Sequence, residues 1–376
     1  MDKKILLLLT LLFYTSVGFS QKYVNEFLSI GVGARSLGMS NSQTAVTSDA
    51  NSIYWNPAGI LNQASDYSVS LMHAAYFNGT ANFDFAGVSH RLDSVSGFGI
   101  GIIRFGIDDI PDTRFLFDAD GTLNYQNIRS FSAADYALIA SYARKLPLLN
   151  GVKLGGSAKI IHRSVGEFAN AWGFGIDLGA QATIGSWQLG VVARDITGTY
   201  IAWNFNSETF STVFLQTGNT LPENRIETAT PRLIFDAARK FPLIKKRNTD
   251  GKEIPKASLL ISGGVEATFD GERNTLIKSE AVSVDPRVGI EGDYQEMLYL
   301  RFGVGNIQKL KDFDGSFSTS IRPTFGVGFR VKSWFIDYAL TDIGNVDNIE
   351  SNYSHVFSVK FSINNNRYKT PRHDAM

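Results

Sequence analysis

The sequence predicts an all-β protein, a transmembrane antiparallel β-barrel of about fourteen strands, preceded by a segment that does not read as strand. Three observations carry this. Apolar residues recur at every second position through some fourteen short segments, the period of a strand with two unlike faces. The connections between those segments alternate between short and long. The one long apolar run stands at the N-terminus and has the form of an export signal.

The signal comes first in the chain. Asp2-Lys3-Lys4 makes a short basic start, and Ile5 to Tyr14 is apolar except for Thr10. Gly18 and Ser20 place small residues before a cleavage after Ser20, so residues 1–20 read as a signal peptide. The run is too short for a membrane anchor, since a hydrocarbon core of ~30 Å needs about 20 apolar residues. No second such run follows, which excludes a helical membrane protein but not a barrel.

Composition narrows the function. The 376 residues hold 36 Lys+Arg against 36 Asp+Glu, so the basic surface of a nucleic-acid binder is missing. With no Cys there is no disulfide scaffold, thiolate nucleophile, zinc ribbon or lipid-modified cysteine. A content of 44% apolar and 19% charged residues excludes a disordered chain.

Gln21 to Ala64 precede the strands and show no period of two. The Gly31-Val32-Gly33 step has no preceding apolar strand and no third glycine at the right place, so it is not a dinucleotide loop. Ser48 or Asp49 caps a single helical turn through Tyr54, which Pro57 stops.

Strands are then expected near 66–77, 82–92, 97–105, 135–146, 152–161, 171–184, 187–195, 230–241, 257–269, 287–294, 298–306, 319–330, 334–342 and 355–363. Most have the ~9–11 residues that a tilted membrane strand needs. Tight connections fall at Asp93–Ser96, Pro147–Gly151, Gly185-Ser186, Gln295–Met297 and Lys332-Ser333. Long ones fall at Gly106–Ala134, Ile196–Ala229, Asp270–Pro286, Ile307–Ser318 and Ile343–Ser354. Outer-membrane barrels segregate loop length in this way, with short periplasmic turns and long external loops. Two connections break the pattern: Asn78–Ala81 is short on the long side, and the basic Pro242–Lys256 is long on the short side.

The two strand faces differ in chemistry. Phe325, Val327, Phe329 and Val331 share one face, as do Phe174, Ile176 and Leu178. The opposite faces carry Asp177, Arg194, Asp236, Lys240, Glu266, Glu291, Asp293, Arg301, Arg330, Asp337 and Lys360, with both signs mixed. In a barrel these charges line a wet or plugged lumen while the apolar face meets outer-membrane lipid. Trp172, Trp187 and Trp334 stand at expected strand ends, where interfacial aromatics belong.

Within the N-terminal segment, Gly33-Ala34-Arg35-Ser36-Leu37-Gly38-Met39 is followed by Asp49-Ala50-Asn51-Ser52-Ile53-Tyr54-Trp55-Asn56-Pro57-Ala58-Gly59. This pair of motifs resembles the outer-membrane barrels that include FadL-like transporters and the PorV/PorQ group of the type IX secretion system. The wording of the first motif is nearer to the PorV/PorQ branch. The resemblance implies a fourteen-stranded barrel plugged by an N-terminal hatch. On that implication Gly33, Arg35, Gly38, Met39, Trp55, Asn56, Pro57, Ala58 and Gly59 are hatch residues. Asn-Pro is equally an ordinary turn starter, and Gly33 and Gly38 have conformational uses of their own.

Other candidate sites are weaker. His73, His90, His162, His355 and His373 are scattered, with no metal-ligand spacing. Asp118-Ala119-Asp120-Gly121 and Asp312-Phe313-Asp314-Gly315 look like calcium-loop starts, but position 12 would be Arg129 or Pro323 instead of a bidentate Glu, so both read as turns. His162, Ser164 and Glu167 fall at a strand end, and no Gly-x-Ser-x-Gly elbow or P-loop is present.

The expected organisation is a signal peptide over 1–20, a hatch segment over 21–64, a barrel over 65–364 and a tail over 365–376. The chain reads as a non-enzymatic outer-membrane protein without cofactor or metal. The resemblance implies a secretion accessory that receives exported cargo and works with type IX components. A channel for diffusion of hydrophobic small molecules is the alternative, and a soluble secreted β-protein is a second one. Nucleic acid is not among the partners.

Overall fold

The computed structural model of the chain describes residues 24–146, 151–209, 223–247, 253–311, 315–342 and 353–364, with single positions 211, 214 and 220 between them. The signal peptide with its cleavage after Ser20, the tail over 365–376, His373 and the Asp312 turn lie outside the described residues.

The strands are β1 (Tyr67–Tyr76), β2 (Ala81–Arg91), β3 (Ser96–Asp112), β4 (Arg129–Lys145), β5 (Lys153–Val165), β6 (Ala169–Ile184), β7 (Trp187–Arg194), β8 (Thr199–Phe205) and β9 (Ile226–Ala229). They continue with β10 (Arg232–Arg247), β11 (Glu253–Thr268), β12 (Ile277–Lys278), β13 (Ser283–Tyr294), β14 (Leu298–Lys311), β15 (Phe317–Val331), β16 (Trp334–Asp342) and β17 (Tyr353–Ile363). Fourteen of them form the wall, each antiparallel to the next: β1 to β7, then β10, β11, β13 and β14 to β17. The last closes on the first, with Tyr67 opposite Ile363 and Ala75 opposite His355. Closure leaves no strand edge along that seam, as a bilayer demands of a spanning sheet.

The chain enters β1 and leaves β17 at the end that carries the tight turns. There Gly185, Gln295, Glu296 and Lys332 take positive φ, as tight hairpin connections of two or three residues favour. By the convention of outer-membrane barrels this is the periplasmic end. Trp187 and Trp334 open β7 and β16 on this rim and are about half exposed. Trp172 lies four residues into β6, because that strand begins at Ala169.

Alternation now acquires a direction. Phe325, Val327 and Phe329 face outward and are 46%, 49% and 42% exposed, whereas Thr324, Gly326 and Gly328 between them face the lumen. Leu71, Ile100, Ile102, Phe174, Leu233, Phe235 and Phe302 join the same outer belt. Covering such side chains with lipid instead of water is worth about 1.5–3 kcal/mol for each Leu, Ile or Phe fully covered. A closed wall with its apolar side outward does not suit a soluble protein, so that reading is set aside. No helix among the described residues is long and apolar enough to cross a membrane.

Three differences from the sequence expectation have physical causes. β3 and β4 run past the expected limits, pairing to Asp112 opposite Arg129 beyond a bulge where Asp109 has φ 57°. The extra residues shift the face of each later side chain and hide the alternation. The segment Ile196–Ala229, expected as an external loop, contributes β8 and β9: β8 extends the pairing of β6 outward after a break at Asp195–Gly198. β10 and β11 continue as a hairpin past the wall on the periplasmic side, pairing as far as Arg247 opposite Glu253.

Candidate functional site

The lumen is filled by residues 24–66. The segment begins in the external half with a 3₁₀ turn at Glu26–Ser29 and makes single helical turns at Ala34–Leu37 and Ser52–Trp55. It then turns again at Pro57–Asn62 and enters β1 on the periplasmic side. Neither Ser48 nor Asp49 caps the second helical turn, whose N-cap is Asn51 without a side-chain cap; Asp49 instead accepts from Asn51 N–H at 2.9 Å just before it, and the turn runs one residue past the expected end, to Trp55. Pro57 does more than stop it. It forces Asn56 into the β region and occupies the first position of the next turn, whose Ala58 N–H is capped by Asn56 Oδ1 at 3.2 Å.

The motif residues hold this hatch together and to the wall. Asn56 Nδ2 donates to Thr44 O and to Ala180 O of β6, both at 3.0 Å. Trp55 Nε1 donates to Val32 O at 2.8 Å, which ties the second motif to the first. Gly33 has φ 85°, and its N–H points at Met72 Sδ of β1, 2.8 Å away. Gly59 is glycine for space: a Cβ there would lie 2.5 Å from Thr47 O.

The inner face of the wall is cut away where the hatch touches it. A Cβ on Gly155 would stand 2.5 Å from the Ala58 nitrogen, one on Gly190 2.3 Å from Thr44 O, and one on Gly303 2.4 Å from the Ser40 nitrogen. Gly38 of the hatch faces Gly326 of β15, where a Cβ would meet the partner's Cα at 3.0 Å. Glycine thus alternates with Phe and Val because one face meets lipid and the other meets plug backbone.

Charges fix what close packing leaves free. Arg35 forms a two-point pair with Glu291 of β13, both bonds at 2.8 Å. Glu291 also accepts from Arg301 Nε of β14 at 2.6 Å, and Arg301 reaches Asp337 of β16 at 2.8 Å. Lys360 of β17 lies 3.6 Å from Asp337 and donates to Asp49 of the hatch at 3.1 Å. Three cations and three anions close a neutral set that joins the plug to four wall strands. Burial alone would lower the Arg35 pKa, but Glu291 and the neighbouring carboxylates hold it above the ordinary arginine value. For Asp49 burial works upward, and Lys360, Arg35 and the Asn51 N–H outweigh it, so its pKa lies below the usual carboxylate range.

A second set sits across the lumen. Lys159 donates to Asp177 at 2.8 Å and to Asp195 at 2.6 Å. Arg232 lies 3.6 Å from Asp195 and 3.3 Å from Glu266, and donates to Ser29 of the hatch at 2.6 Å. Arg287 bridges Glu266 and Asp236, whose other oxygen accepts Thr44 N–H at 2.7 Å. Arg194 stacks over the Tyr54 ring at 4.3 Å and donates to its hydroxyl.

Of the charged residues singled out from sequence, Asp177, Arg194, Asp236, Glu266, Glu291, Arg301 and Asp337 therefore come together around the plug. Arg330 does not. It follows the lumen-facing register of β15 but lies at the periplasmic rim, paired with exposed Glu296 at 3.2 Å. Lys159, Asp195, Arg232 and Arg287 were not singled out, and Lys159 carried a signal: a Lys in mid-strand on the face it shares with Gly155 and Ser157. His162 lies against Trp172, while Ser164 donates to Ala134 O and Glu167 pairs with Arg114, so these three form no catalytic group. Asp118 is held in a turn by Gly121 N–H and by the amides of Asn124 and Asn127.

Above the hatch the external half of the lumen holds a cavity of about 460 Å³. Phe27, Ile30 and Leu37 of the plug and Phe77 and Phe105 of the wall supply its apolar lining. Arg232, Glu266, Arg273 and Arg287 on its polar side are paired among themselves and their neighbours, and Asp285 and Arg322 line it too. Arg273, in the connection between β11 and β12, reaches Glu26 at 3.0 Å and so ties that connection to the start of the hatch.

A fourteen-stranded outer-membrane barrel with an N-terminal hatch in its lumen is the class that wall and plug define. Among solved structures the chain is similar to the CymD monoaromatic hydrocarbon channel, at 12% identity, with 89% of this chain and 98% of that one covered and a TM-score of 0.54. It is likewise similar to the P. putida toluene transporter TodX, at 11% identity, with 89% and 99% covered and a TM-score of 0.53. The fold is thus that of these two barrels. No protein-family model matches the sequence, and no curated protein matches it.

Proposed function

We propose that this barrel is a non-enzymatic outer-membrane channel that admits hydrophobic small molecules from outside, exported by a signal peptide cleaved near Ser20. The carrying observation is the external cavity of about 460 Å³, floored by the hatch and lined by Phe27, Ile30, Leu37, Phe77 and Phe105. That size is in the range of small-ligand pockets. Arg232, Glu266, Arg273 and Arg287 on its wall are already paired, so an apolar guest strands none of these four. Two structural neighbours with this wall bear the names of a monoaromatic hydrocarbon channel and a toluene transporter, which supports the same class of cargo. Uptake of labelled toluene and of a longer hydrophobic probe, compared in cells with and without the gene, tests the reading; equal uptake of both in the two strains would overturn it.

A second reading, an accessory of type IX secretion that receives exported protein, is favoured by two observations. The hatch contacts the wall backbone on several sides, and the external β3–β4 hairpin presents exposed Phe115, Phe117 and Tyr125 to passing protein. Surface delivery of secreted proteins in a gene-deletion strain separates the two, since a channel has no effect on it.

A further inference from the structure

Among the described residues, the hairpin of β10 and β11 carries the wall furthest past the membrane on the periplasmic side. The last pairing of β10 with β7 is Arg239 opposite Trp187, on the rim, and the last pairing of β11 with β13 is Ala257 opposite Tyr294. Beyond these, Lys240 to Arg247 pair with β11 alone. Eight residues make about 26 Å of strand at ~3.3 Å each, or about 20 Å below the rim at a tilt of ~40°. The headgroup layer on one side is only about 5–8 Å thick. The ribbon therefore ends in the periplasm, past the lipid.

Its surface is unlike the rest of the rim. Lys245, Lys246, Arg247 and Lys256 stand with one acid among the described residues of the ribbon, Glu253, which Lys245 engages at 3.1 Å, while Lys240 at its root pairs with Asp293 of β13 at 3.1 Å. Among these cations stand Leu243 and Ile244, 62% and 52% exposed at the bulge that follows Pro242. An exposed apolar pair inside a charged rim is the arrangement of a protein-contact surface. Strand addition is disfavoured, because Pro242 lacks a donor and lysines stud the free edge. Recognition here runs through side chains.

We propose that this ribbon is a docking site for a periplasmic protein presenting an acidic surface with an apolar centre, in which Leu243 and Ile244 bury while the flanking cations meet carboxylates. The proposal concerns a face distant from the lumen and holds for either functional reading.

The test places a photo-crosslinking amino acid at position 243 of the full-length chain in intact cells. The expected product is a discrete protein adduct whose crosslinked peptide is acidic. Its yield falls at least about fivefold when Lys245→Glu, Lys246→Glu and Arg247→Glu are added, with the barrel still inserted. Should the reversal block insertion, the triple Gln variant serves, with a smaller loss expected. In parallel, purified barrel in detergent is titrated with a synthetic peptide of alternating Glu and Leu, whose binding weakens at least about tenfold on charge reversal and weakens with salt. Adducts with lipid only, an adduct on a neutral or basic peptide, or binding indifferent to the reversal each overturn the proposal.

Discussion

Arg35→Gln separates the plug from the wall more cleanly than any other substitution. Arg35 belongs to the hatch, and its two bonds to Glu291 are both 2.8 Å long. The side chains are 19% and 8% exposed, so the pair is screened only a little. Breaking a buried pair costs about 3–5 kcal/mol when the orphaned charge has no other partner. Glu291 keeps Arg301 at 2.6 Å, and Arg301 keeps Asp337, so no wall charge is stranded. The cost therefore falls at or just below the floor of that range, about 2–3 kcal/mol of hatch docking. At 1.4 kcal/mol per tenfold this raises the undocked fraction about 30- to 150-fold. Hydrogen exchange on the purified barrel reads it directly. Amides of the hatch, including Gly38 and Thr44, lose protection by that factor, and amides of β3 to β6 lose none. Unchanged hatch exchange, or equal loss in the wall strands, would refute the view that this pair latches the plug.

Gly190→Val drives a side chain into Thr44 O and is expected to lift the plug and raise permeability in a liposome-swelling assay; Gly263→Ala, whose Cβ meets nothing closer than 3.4 Å, changes neither. Asp49 sets a pH limit. Its pKa is depressed from the ordinary 3.8, so its contribution is fully present above that value and is lost as pH falls through the lower folded value. Hatch protection followed from neutral pH downward stays level until that point, and Asp49→Asn abolishes the acid-dependent step. Phe105→Asp places a charge in the cavity lining and is expected to cut hydrophobic-probe uptake about tenfold, in line with a cost of 1–3 kcal/mol for a polar group without a partner. Ile102→Arg, on the lipid face near mid-strand of β3, costs about 2–4 kcal/mol of barrel stability, measured by denaturant titration in lipid.

The wall was legible because its rule is local. Phe325-Gly326-Val327-Gly328-Phe329 states within five residues that two unlike media lie on either side. β8 and β9 escaped notice because Asp195 to Gly198 break the alternation where the strand resumes, and the ribbon beyond Lys240 because its lysines carry no period of two. The plug's attachments were not legible at all. Arg35 meets Glu291 across 256 positions and Asp49 meets Lys360 across 311, and nothing in either neighbourhood names its partner. The inner-face glycines were visible as glycines, yet only the backbone pressed against Gly155 and Gly190 explains why nothing larger stands there.

The last strand has a double duty. β17 zips against β1 to shut the cylinder, and on its inner side Ser358 accepts from Ala34 N–H at 3.1 Å while Lys360 grips Asp49. Seam and latch are therefore one event in assembly, set by a strand made long after the hatch. The hatch waits 311 positions along the chain for its Lys360 anchor. Contacts of such sequence separation fold slowly. A chain clipped before β17 loses wall closure and both of these plug anchors together, leaving an open sheet whose hatch is held only by the earlier strands.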